Sequence, residues 1–273
     1  MGKTELEYGF ADKAWQVVVG CDNTIPCWQH CWAKKTVARL AGSPNEKVSD
    51  AHAGLVRVTK AGLAWTGAVR INEAHLDDPI GWHKSAVIAT GFHGDWGLLG
   101  RPDKDRMFEV MLECPQHQFF PLTKHRLTEH ADYLTLREPM ANVNIGFSLM
   151  GQTDADAALP MVREIAEAGW RVHVWHEPAI GPIDWRGWEF LSWLVVGGES
   201  GPRAAPFDLQ WARDTITWGA RCQVPIKIKQ LGSDPRGLPV DNVPGWASHL
   251  NPRGENWECW PEDIRVREMP ETR

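Results

Sequence analysis

Seven short apolar runs, separated by longer stretches of helical or polar character, constrain this chain more than any other feature. The runs are Trp15–Val19, Ala86–Ala89, Phe119–Leu122, Val143–Phe147, Arg171–Trp175, Trp193–Val196 and Pro225–Ile228. Several are rich in β-branched or aromatic residues and bounded by Gly, Pro or Asn, so the pattern predicts strands. Helical patterns fall between them at Ala33–Ala41, Asp105–Glu113, Thr153–Ala168 and Asp208–Ala220. The second places Met107, Phe108, Met111 and Leu112 on one side, the spacing of a buried face. The third opens on the cap-forming Thr153 and Asp154 and stops at Gly169. Strands alternating with helices predict an α/β fold with a mainly parallel sheet. Seven strands suit a full or partial TIM-type (β/α) barrel. A doubly wound sheet also sets its ligand at carboxyl strand ends, and periodicity does not separate the two. The expected organisation is a barrel over residues 1–232 with an irregular, ordered C-terminal segment over 233–273 packed on it.

Composition narrows the class. A chain of 273 residues that is 43% hydrophobic and 23% charged can bury a full core, which argues against a disordered protein. It contains no apolar run of about 18 residues, so no membrane span is expected. Its polar start, without the apolar stretch of a secretion signal, makes the cytoplasm the expected compartment. A net charge of −6 opposes nonspecific attraction to nucleic acid. A local basic groove would have to come from Lys34-Lys35, Lys124-His125-Arg126 and Lys227/Lys229. The 16 tryptophans are either large core residues or aromatic walls for a flat ligand such as a nucleobase.

Three of the six cysteines, Cys21, Cys27 and Cys31, fall within eleven residues after a predicted strand, in a loop of Gly, Pro and Asn character that ends on a helix start. In a chain with no secretion signal, such clustering indicates a metal rather than disulfides. Thiolates select iron–sulfur clusters or zinc. Three thiolates leave one iron of a [4Fe–4S] cluster without a protein ligand, the arrangement in which S-adenosylmethionine (SAM) binds and is cleaved to a 5′-deoxyadenosyl radical. Zinc held by Cys21, Cys27, Cys31 and His30 or a distant His is the competing reading, and it would make the chain a zinc-stabilised, non-catalytic nucleic-acid-binding protein. Cys114 and Cys222 read as buried small hydrophobes, and Cys259 as a candidate auxiliary ligand.

Over almost its whole length the chain resembles a phage-associated family of radical-SAM-like proteins. The resemblance runs through Gly20-Cys21 to Cys31-Trp32-Ala33, His75-Leu-Asp-Asp-Pro79, Phe108-Glu-Val-Met111 and His117 to Lys124. It continues through Asn142 to Ser148, Glu177 to Asp184, Trp193 to Gly201 with its Val-Gly-Gly-Glu-Ser-Gly run, and Lys229-Gln230. It implies a barrel of the radical SAM kind, a [4Fe–4S] cluster on Cys21, Cys27 and Cys31, and SAM as cofactor. The implied reaction begins with hydrogen abstraction and ends in isomerisation, decarboxylation or another lyase outcome, or C–C bond formation. Three departures stand out. The middle cysteine lies one place early, giving C-x5-C-x3-C. His125-Arg126 replaces Arg-Pro after Leu-Thr-Lys, and Met150-Gly151 stands where an acidic residue is usual.

Site candidates follow the predicted strand ends. Asp95, Ser148 and the Gly197-Gly198-Glu199 turn are expected to seat SAM, with Glu199 on its ribose hydroxyls or amino group. Lys124 and Lys229 can pair with a substrate phosphate or carboxylate, and Glu177 can serve as acid, base or substrate ligand. Each has a plainer alternative as a solvated or salt-bridged rim residue. The expected partners are SAM, a DNA base or modified nucleotide, and an electron donor such as flavodoxin or ferredoxin.

Overall fold

A computed structural model describes residues 9–25, 31–125, 129–237 and 251–271. The chain divides into two compact units, the first made of Met1–Leu127 with Pro139–Ile145 and the second of Thr128–Glu138 with Gly146–Arg273. Both are mixed α/β and both contain parallel strand pairs.

The first unit holds β1 (Lys13–Trp15), β2 (Val18–Gly20), α1 (Ala33–Ala41), α2 (Glu46–His52), β3 (Val56–Thr59), β4 (Gly62–Trp65), β5 (Arg70–Ile71), β6 (Val87–Thr90), β7 (His93–Gly94), α3 (Arg101–Glu113), β8 (Gln118–Phe120) and β9 (Leu122–Thr123). The run expected as one strand over Trp15–Val19 is split. Its first part joins a parallel sheet ordered β1-β6-β8, and its second a sheet ordered β5-β2-β7. The neighbouring strand divides in step, into β6 and β7. Trp15 pairs with Thr90 and Val19 with His93, so four steps on one side meet three on the other. That extra residue is a bulge, and Gly91 at φ +94° turns the shorter side around it. α1 covers β2 through a buried cluster of Val19, Ala33, Val37, Leu55 and Trp65. Trp65 belongs to the β3–β4 hairpin, which sequence periodicity did not indicate.

The second unit holds α4 (Glu129–Thr135), β10 (Asn144–Ser148, entering this unit at Gly146), α5 (Gln152–Glu167), β11 (Arg171–His176), β12 (Trp193–Gly197), β13 (Phe207–Asp208), α6 (Leu209–Cys222), β14 (Ile226–Gln230) and β15 (Pro235–Arg236). The central order is β14-β12-β11-β10, with β11–β12 and β12–β14 parallel. β10 and β12 are buried at every residue, the mark of a sheet covered on both faces. α5 begins one residue before the expected cap. Asp154 accepts instead from the Met150 N–H at 2.9 Å, and Gly169, at φ +97°, ends the helix as expected. Asp208 caps α6 through the Gln210 N–H. The open edge of β14 is closed by the C-terminal segment, where Ile228 N–H donates to Val266 and Glu268 N–H to Ile226.

Most of the described tryptophans serve the core. Trp15, Trp65, Trp96, Trp188, Trp193 and Trp260 are fully buried, while Trp32 is the exposed one. Trp96, fully buried and packed on Phe108 with ring centroids 5.8 Å apart, offers no aromatic wall to a flat ligand.

Candidate functional site

In the first unit the candidate metal loop starts where β2 ends. Gly20 adopts φ +99°, and a Cβ there would lie 2.1 Å from the Ala68 carbonyl oxygen, so only glycine makes this turn. Cys21 follows, half-buried, and Cys31 stands just ahead of α1; both pack against the Val19–Trp65 cluster. Asn23 pins the loop, its Nδ2 donating to the Trp65 carbonyl and its Oδ1 accepting the Trp65 N–H. Cys27 and His30 lie outside the described residues.

Cys21 meets two residues that sequence reasoning did not name as ligands. His125 Nε2 is 3.9 Å from Cys21 Sγ and 3.4 Å from Asp22 Oδ1, and all three donor atoms lie within 4.8 Å of one another. The sequence offered two cues: the zinc reading left room for an unspecified distant histidine, and His125 is one of the departures from the motif it resembles. A separation of 104 residues hid the pairing from any reading of local spacing.

His125 is placed by a buried network. Asp95 accepts from the Gly97 N–H at 2.9 Å, the Lys124 N–H at 2.9 Å and the Thr123 hydroxyl, and its own N–H donates to Gly20. Thr123 Oγ1 in turn accepts the His125 N–H. Asp95, expected to contact SAM, thus has its carboxylate engaged by donors of its own chain. Lys124 is half-buried beside it.

In the second unit the structure brings Ser148, Glu177 and Lys229 together at the carboxyl ends of β10, β11 and β14. Lys229 forms an ion pair with Glu177 and lies 5.4 Å from the Trp175 ring centroid. The Ser148 hydroxyl donates to the Glu177 carbonyl at 2.8 Å. Gly197 sits over the same group, since a Cβ there would be 3.5 Å from Glu177 Cγ and 3.3 Å from Gln230 Cγ. The space at Gly198 is taken by the chain itself, where a Cβ would meet the Leu231 carbonyl oxygen at 2.4 Å. Glu199 turns its carboxylate to the Ala205 N–H at 2.7 Å, and Gln230 bonds Gly198 O and Ser200 Oγ.

Two parts of the expected basic groove are absent from the surface. Lys34 is buried and donates to the Leu63 carbonyl, because α1 lays that side chain against β4. Lys227 is buried as well, and burial, with Arg267 and Lys229 nearby, pulls its ammonium down to about 8. Lys35 is exposed, and Arg126 lies outside the described residues. Cys114 is fully buried, as expected, and burial pushes its thiol up, whereas Cys222 is only partly buried at the end of α6.

The architecture is therefore that of a mixed α/β protein with parallel sheets whose polar residues gather at strand ends. The chain belongs to the DUF5131 family of proteins of unknown function, whose profile matches residues 3–255. No curated protein matches it. Among solved structures it is similar to a cysteine variant of spore photoproduct lyase at 12% identity and a TM-score of 0.40, over 76% of this chain and 59% of that one. A second spore photoproduct lyase structure, with bound AdoMet and dinucleoside spore photoproduct, matches at 13% identity and a TM-score of 0.37, over 67% and 54%. A GH6 enzyme of Orpinomyces sp. Y102 matches at 10% identity and a TM-score of 0.29, over 70% and 74%. The chain thus spans a little over half the length of the lyase chains it matches. No helix among the described residues is long and apolar enough to cross a membrane.

Proposed function

We propose that this chain is an iron–sulfur enzyme of the radical SAM kind, with Cys21, Cys27 and Cys31 as cluster ligands. The observation that carries the reading is the setting of Cys21 and Cys31. Both are partly exposed thiols at the two ends of one loop, packed on one apolar wall beside the carboxyl end of β2. Soft thiolates with an apolar backing fit an iron–sulfur cluster in their donor chemistry. When bound, such a cluster supplies the electron that cleaves SAM. The proposed frame is a (β/α) barrel over residues 1–232, which the parallel pairs with intervening helices favour.

The chain's own residues supply binding and charge. Lys229 has three N–H donors and gives one to Glu177, which leaves two for a substrate phosphate or carboxylate. Glu177, through Oε1, is the carboxylate that holds this ammonium in place. Ser148 and Gly197 fix the strand ends on which this pair stands, and Glu199, with Gly198, shapes the adjoining turn for a SAM hydroxyl or amino group. Lys124, beside the Asp95 network, is the matching cation of the first unit. The substrate class we favour is a nucleotide base, free or in DNA, with a flavodoxin- or ferredoxin-type electron donor.

Anaerobic reconstitution tests this reading. The chain should take up about four iron and four sulfide and form 5′-deoxyadenosine from SAM with a reductant. Cys21→Ala, Cys27→Ala and Cys31→Ala should each abolish both, while Cys114→Ala should keep them. A coloured, active Cys31→Ala protein would overturn the assignment.

A further inference from the structure

The geometry points to a mononuclear site for a divalent metal ion, zinc or ferrous iron, formed by Cys21 Sγ, Asp22 Oδ1 and His125 Nε2 in the chain that carries no cluster. It goes beyond the radical SAM reading and shares only Cys21 with it, so one thiolate serves either the single ion or the cluster.

Spacing is the first argument. Metal–sulfur bonds of about 2.3 Å and metal–nitrogen or –oxygen bonds of about 2.0–2.1 Å at tetrahedral angles set donor-to-donor edges of about 3.3–3.6 Å. The His125–Asp22 separation is 3.4 Å and the His125–Cys21 separation 3.9 Å. The former is longer than a well-formed hydrogen bond between imidazole and carboxylate, whose usual limit is about 3.2 Å. The His125–Asp22 edge falls within the tetrahedral range, the His125–Cys21 edge is a few tenths of an ångström wider, and all three donor atoms lie within 4.8 Å of one another, so a small inward shift of the Cys21 side chain brings them around one ion.

Placement is the second. The His125 side chain is 5% exposed and its backbone is fixed through Thr123 Oγ1 to Asp95. Asp22 Oδ1 also accepts from the Thr24 N–H at 3.0 Å and the Thr24 hydroxyl at 2.8 Å, the kind of outer hydrogen bond that orients a ligating carboxylate. Asn23, between Cys21 and the Thr24 turn, is clamped to the Trp65 main chain at both ends of its amide. The Asp22 carboxylate and the His125 backbone are thus each held by a group outside the set, and the residue next to Cys21 and Asp22 is clamped. One sulfur, one nitrogen and one oxygen suit zinc, cobalt or ferrous iron and disfavour magnesium or calcium, which take oxygen alone. A water would supply the fourth ligand. Cys31 is not among the donors that converge on Cys21.

Cobalt(II) added to the chelator-treated full chain under anaerobic conditions tests the site. One equivalent should bind with a sulfur-to-cobalt charge-transfer band and the visible absorption of a tetrahedral ion. His125→Gln and Asp22→Asn should each weaken binding at least tenfold. Cys21→Ser should remove the charge-transfer band, and Cys31→Ala, whatever it does to cluster uptake, should leave the cobalt affinity and spectrum as they are. Binding lost in Cys31→Ala but intact in His125→Gln would overturn the site. A cadmium-113 shift from the unaltered chain guards against misfolded variants: a value for one sulfur with nitrogen and oxygen supports the site, and a three-sulfur value refutes it. Cobalt binding with no iron–sulfide uptake would sink the cluster reading alone, and the converse would sink this one alone.

Discussion

In the first unit two neighbouring strands change partners part-way along, β1 giving way to β2 as β6 gives way to β7, around a one-residue bulge. In the second, β11 and β12 stay paired from His173↔Trp193 to His176↔Val196, and the first irregularity comes only at the Val196/Gly197 end of β12. The difference follows from what each sequence run can bury. β12 is apolar throughout and sealed on both faces, so it gains most by staying in one sheet. The Trp15–Val19 run includes the polar Gln16 and is followed by Gly20, and the strand leaves its sheet there. Polar groups then collect where the regular pattern ends, at the β2–β7 level in one unit and beyond β12 in the other.

The largest test strikes the regular sheet. Trp193 is fully buried, meets Trp175 edge-to-face and His173 at a tilt, and donates from Nε1 to Glu268 O. Trp193→Ala should cost about 3–5 kcal/mol of unfolding free energy in urea. A loss below about 1 kcal/mol would break the claim that this sheet carries the second unit's core.

The glycines sharpen the contrast. Gly20→Ala and Gly198→Ala would each drive a methyl group into a carbonyl oxygen, at 2.1 Å and 2.4 Å respectively. Each should cost about 1–3 kcal/mol. Hydrogen exchange should separate them: Gly198→Ala speeds exchange in β12 and β14, while Gly20→Ala speeds it in β2 and β7 and spares β11 and β12. Equal acceleration everywhere would mean that the two units unfold together.

Each unit also holds one histidine pulled down to about 4. For His93 the cause is burial, then the nearby His52 and Arg39; for His176 it is burial, partly offset by the Met150 and Gly181 backbone carbonyls, which favour a protonated ring. Unfolding restores an ordinary value near 6.5. Between pH 6.5 and 4 the unfolded chain therefore binds the extra protons. The contribution of each group is complete above pH 6.5 and is lost as the pH falls to about 4. Urea midpoints across that range should show a slope that His93→Gln and His176→Gln each reduce by about one proton. An unchanged slope in either variant would refute its part.

The smallest effects are expected at the surface. Arg106 grips both oxygens of Glu73 in the first unit, and Arg213 pairs with Asp263 in the second. Glu73→Gln and Asp263→Asn should each cost less than about 1 kcal/mol, and less again in high salt. A larger loss at Glu73 would mean that the fork supports the first unit's packing.

The two units also differed in how legible they were. β11, β12, β14, α5 and α6 could be read to within a residue or two, because runs buried on both faces and amphipathic helices leave unbroken periodic signals. The split of Trp15–Val19 could not, since nothing local records a change of partner. The β3–β4 hairpin was hidden because no residue of Val56–Thr59 is buried, so the strand carries no alternating signal, and its partner begins at Gly62. The cysteine loop was legible from composition alone. Asp22 and His125 were not, because their meeting depends on how β2 and the segment after β9 are held. Excess tryptophan invited an aromatic pocket, but most of those rings turned out to fill cores, where large side chains satisfy volume as well as any ligand would.

The Asp95 network has a consequence for descent. Its carboxylate serves three donors from two separate segments, while its own N–H is bound to Gly20. A lineage that replaced Asp95 by an apolar residue would take this acceptor from the Gly97 and Lys124 amides and leave the Thr123 hydroxyl only its longer bond, 3.4 Å, to the His125 carbonyl, at about 1–3 kcal/mol for each buried bond lost. Such a change should survive only alongside a substitution at Thr123. Residues 95 and 123 should therefore vary as a pair among relatives, and a lineage carrying one change without the other should be rare.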